Sequence, residues 1–523
     1  MQYKVSTLMS FLANTERERE RMDFLLLTLG LYLSWGLLRA LLYIANRGKS
    51  SKVVKLPPGP RPLPVIGNLL ELGSLPHKSL AKLASAHGPI MSLKLGSITT
   101  VVVSSAPVAR EILQTHDVSF SNRVIADTLT AFRQDELGMP WIPVAPLWRN
   151  LHRICNVHLF APKALDSSRQ IHCRKIQELL DYIGKYSKTG SSVDIGEAGF
   201  TTMLNLLGNT ILSVDLADPT SESAKEFKEL VWHIMVEAGK PNLADYFPVL
   251  KRLDPQGARR RMTGYFGRMF DVFNRIINER LQVREIPGSV RNNDMLDTLL
   301  ELSEDKRERM DLLLMKHLFL NLFAGGTDTT SSTLEWAMAE LLRNPEKLLK
   351  AQAELEQVIG RGNPVEESDI ARLPYLRATV KETLRMHPAV PLLIPRRAGA
   401  TVQVGSYTIP EGAQILVNVW AVGRDPDTWK DPNKFIPERF LGLDIDVKGQ
   451  NFELLPFGGG RRICPGLPLA IRMLHLMLSS LLNSFNWELE DGVSPETMDM
   501  EEMFGITLKK AQPVRAVPLP ITK

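Results

Sequence analysis

Over Ser221–Ala238, Gly264–Arg284, Met310–Arg343 and Pro345–Ile359 apolar residues return every three or four positions with few breakers, which predicts long helices. Between Pro89 and Ser105 the stretch "PIMSLKLGSITTVVVSS" alternates instead. It is rich in β-branched residues around Gly96-Ser97, which predicts a hairpin. "ATVQVGSYTIP", "AQILVNVW" and the last thirty residues read as further short strands. Helical segments dominate, so the fold class is mainly α with minor β rather than a doubly wound α/β fold. No dinucleotide fingerprint is present, because the glycine-rich stretch near the C-terminus does not follow a strand with the required acidic residue downstream.

From Phe24 to Ala45, "FLLLTLGLYLSWGLLRALLYIA" is almost wholly apolar. At 1.5 Å per residue a helix of that length reaches roughly the 30 Å of a bilayer core. Arg39 lies where its side chain can snorkel, and Arg47, Lys49, Lys52 and Lys55 follow, which puts the remainder of the chain on the cytoplasmic side. The run exceeds a signal-peptide core and no small-residue cleavage site follows it, so an uncleaved anchor is expected. The proline-rich "LPPGPRPLPVIGNL" then reads as a stiff lead into the body. Four segments result: an extension over 1–21 with no assigned role, a transmembrane anchor over 22–46, a basic and proline-rich lead over 47–69, and one large domain over 70–523.

The 523 residues can bury a large core, and no repeat or later linker divides them. A net charge of +5 is only mildly basic and gives no sign of nucleic-acid binding. Three scattered cysteines, Cys155, Cys173 and Cys464, supply neither a disulfide framework nor a zinc-type pair, and reduced thiols facing the cytosol are the natural reading.

Cys464 is the unusual one of the three. It sits in "FGGGRRICPG" between arginines and glycines, just before an apolar helix-forming run whose N-terminal dipole favours negative charge. Glycines allow close approach to a flat ligand, and a thiolate needs N–H donors or cations nearby. Thiol chemistry alone leaves two readings open, a structural buried cysteine and a thiolate metal ligand. "AGGTDTT", Ala324 to Thr330, interrupts the longest apolar segment. It fits either a kinked helix whose hydroxyls bond freed carbonyls, or two helices joined at Gly325-Gly326 with Thr327 or Asp328 as N-cap, and capping preference favours the second. In "KETLR", Glu382 and Arg385 share one helical face and can pair, and "PERF" places Arg439 beside Pro437.

Each signature is weak alone. Their joint occurrence in this order, behind an anchor and a proline-rich lead, resembles a microsomal cytochrome P450 from about Pro57 to the end. The resemblance implies a helical bundle around haem b with small sheets, in which Cys464 is the axial thiolate on iron, Phe457 packs near the sulfur and Arg462 meets a propionate. Arg396 and Trp148 match further propionate contacts. The position four after that tryptophan usually carries arginine; here it is His152, with Arg149 or Arg153 the candidates to compensate. Thr329 and Asp328 match the family's alcohol and acid that deliver protons to dioxygen. Glu382, Arg385 and Arg439 match a structural triad beneath the haem.

Stretches such as "KPNLADYFP" and "DMEEMFGITL" look closest to plant members of the geraniol 8-hydroxylase kind, whose relatives also act on diterpenes and phenolic amino acids. In those terms the substrate pocket is walled by the segment from Asp127 to Phe132, by Leu322, Phe323 and Ala324, by Val390 to Ile394 including Leu392 and Leu393, and by Phe504 and Ile506. The implied reaction is hydroxylation of a small apolar metabolite by dioxygen, with NADPH electrons passed from a membrane-bound reductase. Arg149, Arg153 and Arg461 are the expected basic contacts for that partner. Retention of the threonine and acid speaks against a non-catalytic haem protein or a peroxide-rearranging relative.

Overall fold

The computed structural model describes residues 26–37, 39, 55–217, 222–304 and 310–521. Residues 26–37 are helical. The 1–21 extension, most of the remaining apolar run and Arg47, Lys49 and Lys52 lie outside the described residues. Among the described residues no helix is long and apolar enough to cross a membrane.

Helices fall where the periodicity places them, at Glu222–Gly239, Ala258–Glu285, Leu312–Arg343 and Pro345–Val358. Leu312–Arg343 is the axis of the main core. Asp311 caps its start by accepting from Leu314 N at 2.7 Å, and apolar residues such as Phe319, Phe323, Trp336 and Met338 are fully buried along it. Burying each such side chain contributes about 1.5–3 kcal/mol. Helix Ile195–Leu212 lies close against it because Gly199 carries no Cβ; one placed there would stand 3.1 Å from Leu334 Cδ2. The helix runs unbroken through Gly325-Gly326, which overturns the two-helix expectation. Thr327 and Thr329 donate to the carbonyls of Phe323 and Gly325 at 2.9 and 2.8 Å, so neither Thr327 nor Asp328 acts as a cap.

The expected hairpin forms as Ile90–Leu95 against Ile98–Val103. It belongs to a five-stranded sheet continued by Gln414–Val417, Arg396–Arg397 and Asn122–Arg123. Pairing is antiparallel except between Ile98–Val103 and Gln414–Val417, which run parallel with Val101 opposite Ile415. Alternation assigns the two faces: Val101, Val103, Ile415 and Val417 join one cluster with Phe120 and Phe452, while Leu93, Val102 and Leu416 pack on Leu80. Arg515–Pro520 pairs with Val193–Asp194 and Phe485–Leu489, as the C-terminal pattern suggests. The sheet matters to function because its short members carry Arg123 and Arg396 to one end of the main cavity.

Candidate functional site

The loop around Cys464 is fixed by its glycines. Gly458 and Gly460 take φ of +71° and +69°, a left-handed conformation in which a side chain is strained, and a Cβ on Gly460 would lie 2.1 Å from Leu113 O. Cys464 N donates back to Phe457 O at 3.1 Å, and helix Leu467–Ser484 begins three residues later. Burial pushes the Cys464 thiol up, while the N–H groups of Gly466 and Leu467 at that helix start pull it down. Cys155 differs: wholly buried without such donors, it is pushed up to about 12. Neither it nor Cys173 is in a disulfide. A buried sulfur with two amide donors suits a thiolate whose charge a metal ion neutralises.

Cys464 opens onto a cavity of about 300 Å³. The central helix lines it with Asn321, Leu322, Gly325, Gly326, Thr329, Thr330 and Thr333, and the cysteine loop adds Phe457, Gly458 and Ile463. Val390, Leu393 and Ile394 complete an apolar wall. A third part of the lining is cationic: Arg123, Arg396 and Arg462, with Trp148 and His152.

Burial drives Arg396 and Arg462 down to about 10 and Arg123 well below the usual arginine range, and the guanidiniums depress one another further at Arg123 and Arg462. Asp117 is the acid among them, 3.6 Å from Arg396. Arg462 donates to the carbonyls of Ser121, Met139 and Ile142 and lies over the Trp148 ring; Arg396 donates to Phe120 and Gly459. Arg123 Nε and His152 Nε2 are buried without hydrogen-bond partners. Three buried cations facing one carboxylate are short of negative charge, a deficit that a ligand bearing carboxylates would fill. Haem b, with two propionates and an iron for the sulfur, fits this donor set. His152 stacks on Trp148 at 4.6 Å, and its pKa is lowered by burial and by Arg462. Arg149 and Arg153 are exposed and are not part of the lining, so neither takes the place of the missing arginine. Arg123 lines the cationic end of the cavity instead, a residue that the sequence reading did not single out.

Thr329 lines the cavity with its hydroxyl donating to Gly325 O. Asp328, one residue earlier, is about 100° away around the helix, points out of the cavity and pairs with Lys509. Lys509 in turn lies 4.0 Å over the Trp232 ring. The expected acid is therefore held by an ion pair behind the helix rather than in the cavity wall.

Of the expected pocket residues, Leu322, Val390, Leu393 and Ile394 line the cavity. Phe323 does not: it belongs to an aromatic core with Phe227 and Phe273, because a residue next to Leu322 faces another way on a helix. Ala324 is likewise rotated off the lining face. Leu392 packs under the sheet, Phe504 stacks on His77 at 5.6 Å, and Phe132 stands against Phe270 at 40% exposure. Ile506 abuts the end of helix Glu222–Gly239, where a Cβ on Gly239 would meet its nitrogen at 2.6 Å.

Glu382, Arg385 and Arg439 form one buried network. Glu382 accepts from Arg385 at 2.6 and 2.8 Å, from Arg439 at 3.0 Å and from Ile436 N at 2.8 Å. Arg385 also holds the carbonyls of Gly423, Pro432 and Lys434, which ties the segment 423–440 to helix Pro374–Met386.

The model of the cytochrome P450 family matches residues 57–514. Geraniol 8-hydroxylase of Swertia mussotii is 55% identical over 499 residues, covering 95% of this chain and 99% of that protein. Drimenol monooxygenase of Persicaria hydropiper is 50% identical over 501 residues, covering 96% and 98%. Among solved structures, a zebrafish cytochrome P450 with progesterone superposes with a TM-score of 0.73 at 25% identity, over 85% of this chain and 99% of that one. The chain belongs to the cytochrome P450 family, whose members carry haem iron and draw electrons from a reductase.

Proposed function

We propose that the protein is a haem-thiolate monooxygenase that hydroxylates a terpenoid alcohol of about geraniol's size. The observation that carries the reading is one cavity bounded by a glycine-locked cysteine, a cationic end and an otherwise apolar wall, in a chain 55% identical to a geraniol 8-hydroxylase. Haem bound there would supply dioxygen activation, one oxygen atom entering a C–H bond and the other leaving as water, with two electrons from NADPH.

Each part of the lining has its task. Cys464 would hold the iron, its sulfur fixed by the amides of Gly466 and Leu467. Arg123, Arg396 and Arg462 would hold the propionates, with Trp148 packed beneath Arg462. Gly325 leaves the helix face open, since a Cβ there would meet nothing within 4 Å. Thr329 keeps a hydroxyl at that opening, where it can pass a proton. Leu322, Val390, Leu393 and Ile394 exclude water and orient an apolar skeleton.

The electron donor in this reading is NADPH–cytochrome P450 reductase, met by exposed Arg149 and Arg153. Arg461 is a weaker contact because it pairs with Asp117 at 2.9 Å. The apolar run and the basic residues after it support an anchor over 22–46 and a lead over 47–69, and in this reading the protein is single-pass in the endoplasmic reticulum membrane with its body, 70–523, in the cytosol. The test is product analysis with geraniol, NADPH and a plant reductase on membranes carrying the protein, with Cys464→Ala as the blank. Hydroxygeraniol absent from the blank is the expected result. No product from an enzyme whose carbon monoxide spectrum shows thiolate-bound haem would overturn the substrate.

A further inference from the structure

The apolar wall of the cavity contains one amide, Asn321. Its Nδ2 is buried without a protein hydrogen-bond partner, and an unpaired buried donor costs about 1–3 kcal/mol, so a ligand group that accepts from it is favoured there. Two helix hydroxyls nearby are already engaged: Thr329 donates to Gly325 O and Thr333 to Thr329 O. One turn before Asn321, His317 is fully buried between the central helix and Phe270, with both ring nitrogens unpartnered. His317 is not part of the lining, so Asn321 is the polar side chain that faces the cavity on the stretch of helix that also presents Leu322, Gly325 and Gly326.

Resting on the terpenoid-alcohol reading, we propose that Asn321 anchors the substrate's hydroxyl group and so sets which carbon is presented for oxidation. Asn321 precedes Thr329 by eight residues, about 12 Å along the helix. In an extended terpenol of geraniol's skeleton, eight bonds separate the hydroxyl oxygen from carbon 8, which at about 1.2 Å per bond is roughly 10 Å. An alcohol held at Asn321 therefore places its far end near Gly325 and Thr329. An amide offers a donor at one edge and an acceptor at the other, and a hydroxyl can meet either. A hydrocarbon meets neither, so the site discriminates by leaving its own polar group unpaired.

The experiment compares geraniol with the same skeleton lacking the hydroxyl, in wild type, Asn321→Leu and Asn321→Gln, all in the full-length membrane enzyme. The readouts are the spectral substrate titration, kcat/KM and the product distribution. Wild type should bind and turn over the alcohol in preference. Asn321→Leu should lose about 10-fold in affinity for geraniol, keep its affinity for the hydrocarbon within about 2-fold, and scatter the position of hydroxylation. Asn321→Gln should recover part of the preference. An unchanged alcohol preference in Asn321→Leu, with an intact carbon monoxide spectrum, would overturn the anchor and leave the terpenoid reading standing. Failure of wild type to bind or oxidise either compound would remove that reading and the anchor with it.

Discussion

Replacing Glu382 by alanine tests whether the buried network holds the fold beneath the cavity. Glu382 and Arg385 are both fully inaccessible, and Glu382 satisfies three nitrogens besides Arg385 Nε. Its loss leaves a buried guanidinium unbalanced and Ile436 N without its acceptor. Breaking one side of such a pair costs about 3–5 kcal/mol, a large share of the roughly 5–15 kcal/mol that holds a domain folded. In a body of this size, whose unfolding entropy is roughly 1 kcal/mol/K, that corresponds to a fall in melting temperature of roughly 3–5 °C. Glu382→Ala combined with Arg385→Met removes both charges together, so the double variant should be no less stable than Glu382→Ala, and these two with Arg385→Met and wild type close a cycle. The double-mutant cycle should yield a coupling of about 2 kcal/mol or more. Thermal unfolding of the four proteins, followed by circular dichroism, measures both quantities. A loss below about 1 kcal/mol for Glu382→Ala, or additive single effects, would refute the reasoning.

Three other outcomes follow from individual sites. Burial raises Glu335 to about 7 from an ordinary 4.5, so its protonated form favours the fold; that contribution is whole below about 4.5 and is lost as pH climbs through about 7. Glu335→Gln keeps an acceptor for Val514 N, and from pH 5 to pH 8 it should gain about 2–3 kcal/mol on wild type in melting experiments. Gly460→Ala drives a Cβ into Leu113 O in a left-handed backbone, and its carbon monoxide spectrum should show loss of thiolate ligation. Arg123→Leu removes one of three buried cations, and the purified protein should retain markedly less haem per chain while its circular dichroism is unchanged.

Much of this architecture is legible in the sequence. Uninterrupted apolar periodicity located the long helices, and spacing alone paired Glu382 with Arg385. The cysteine loop left two readings open on its own chemistry and became legible only through its joint occurrence with the other three signatures. What the pattern could not convey was rotation. Leu312–Arg343 is apolar on nearly every side, so its periodicity does not say which residues face the cavity, and Phe323 and Ala324 were assigned to the wrong side of it. Capping preference misled at Gly325-Gly326, because burial against neighbouring helices holds the helix together where local propensity would end it. Arg123 had no motif, being brought to Arg396 by strand pairing across more than 270 residues. Asn321 did leave a trace, a lone amide in "HLFLNLFAGG" at four-residue spacing from Gly325, but only its unpaired nitrogen gives that trace meaning.

The most direct test of the central claim is turnover of geraniol under dioxygen labelled with heavy oxygen, with NADPH and reductase, read by mass spectrometry of the product. The account predicts that each new hydroxyl carries one labelled atom and that Cys464→Ala forms none. A hydroxylated product with unlabelled oxygen, or labelled product from Cys464→Ala at the wild-type rate, would contradict it.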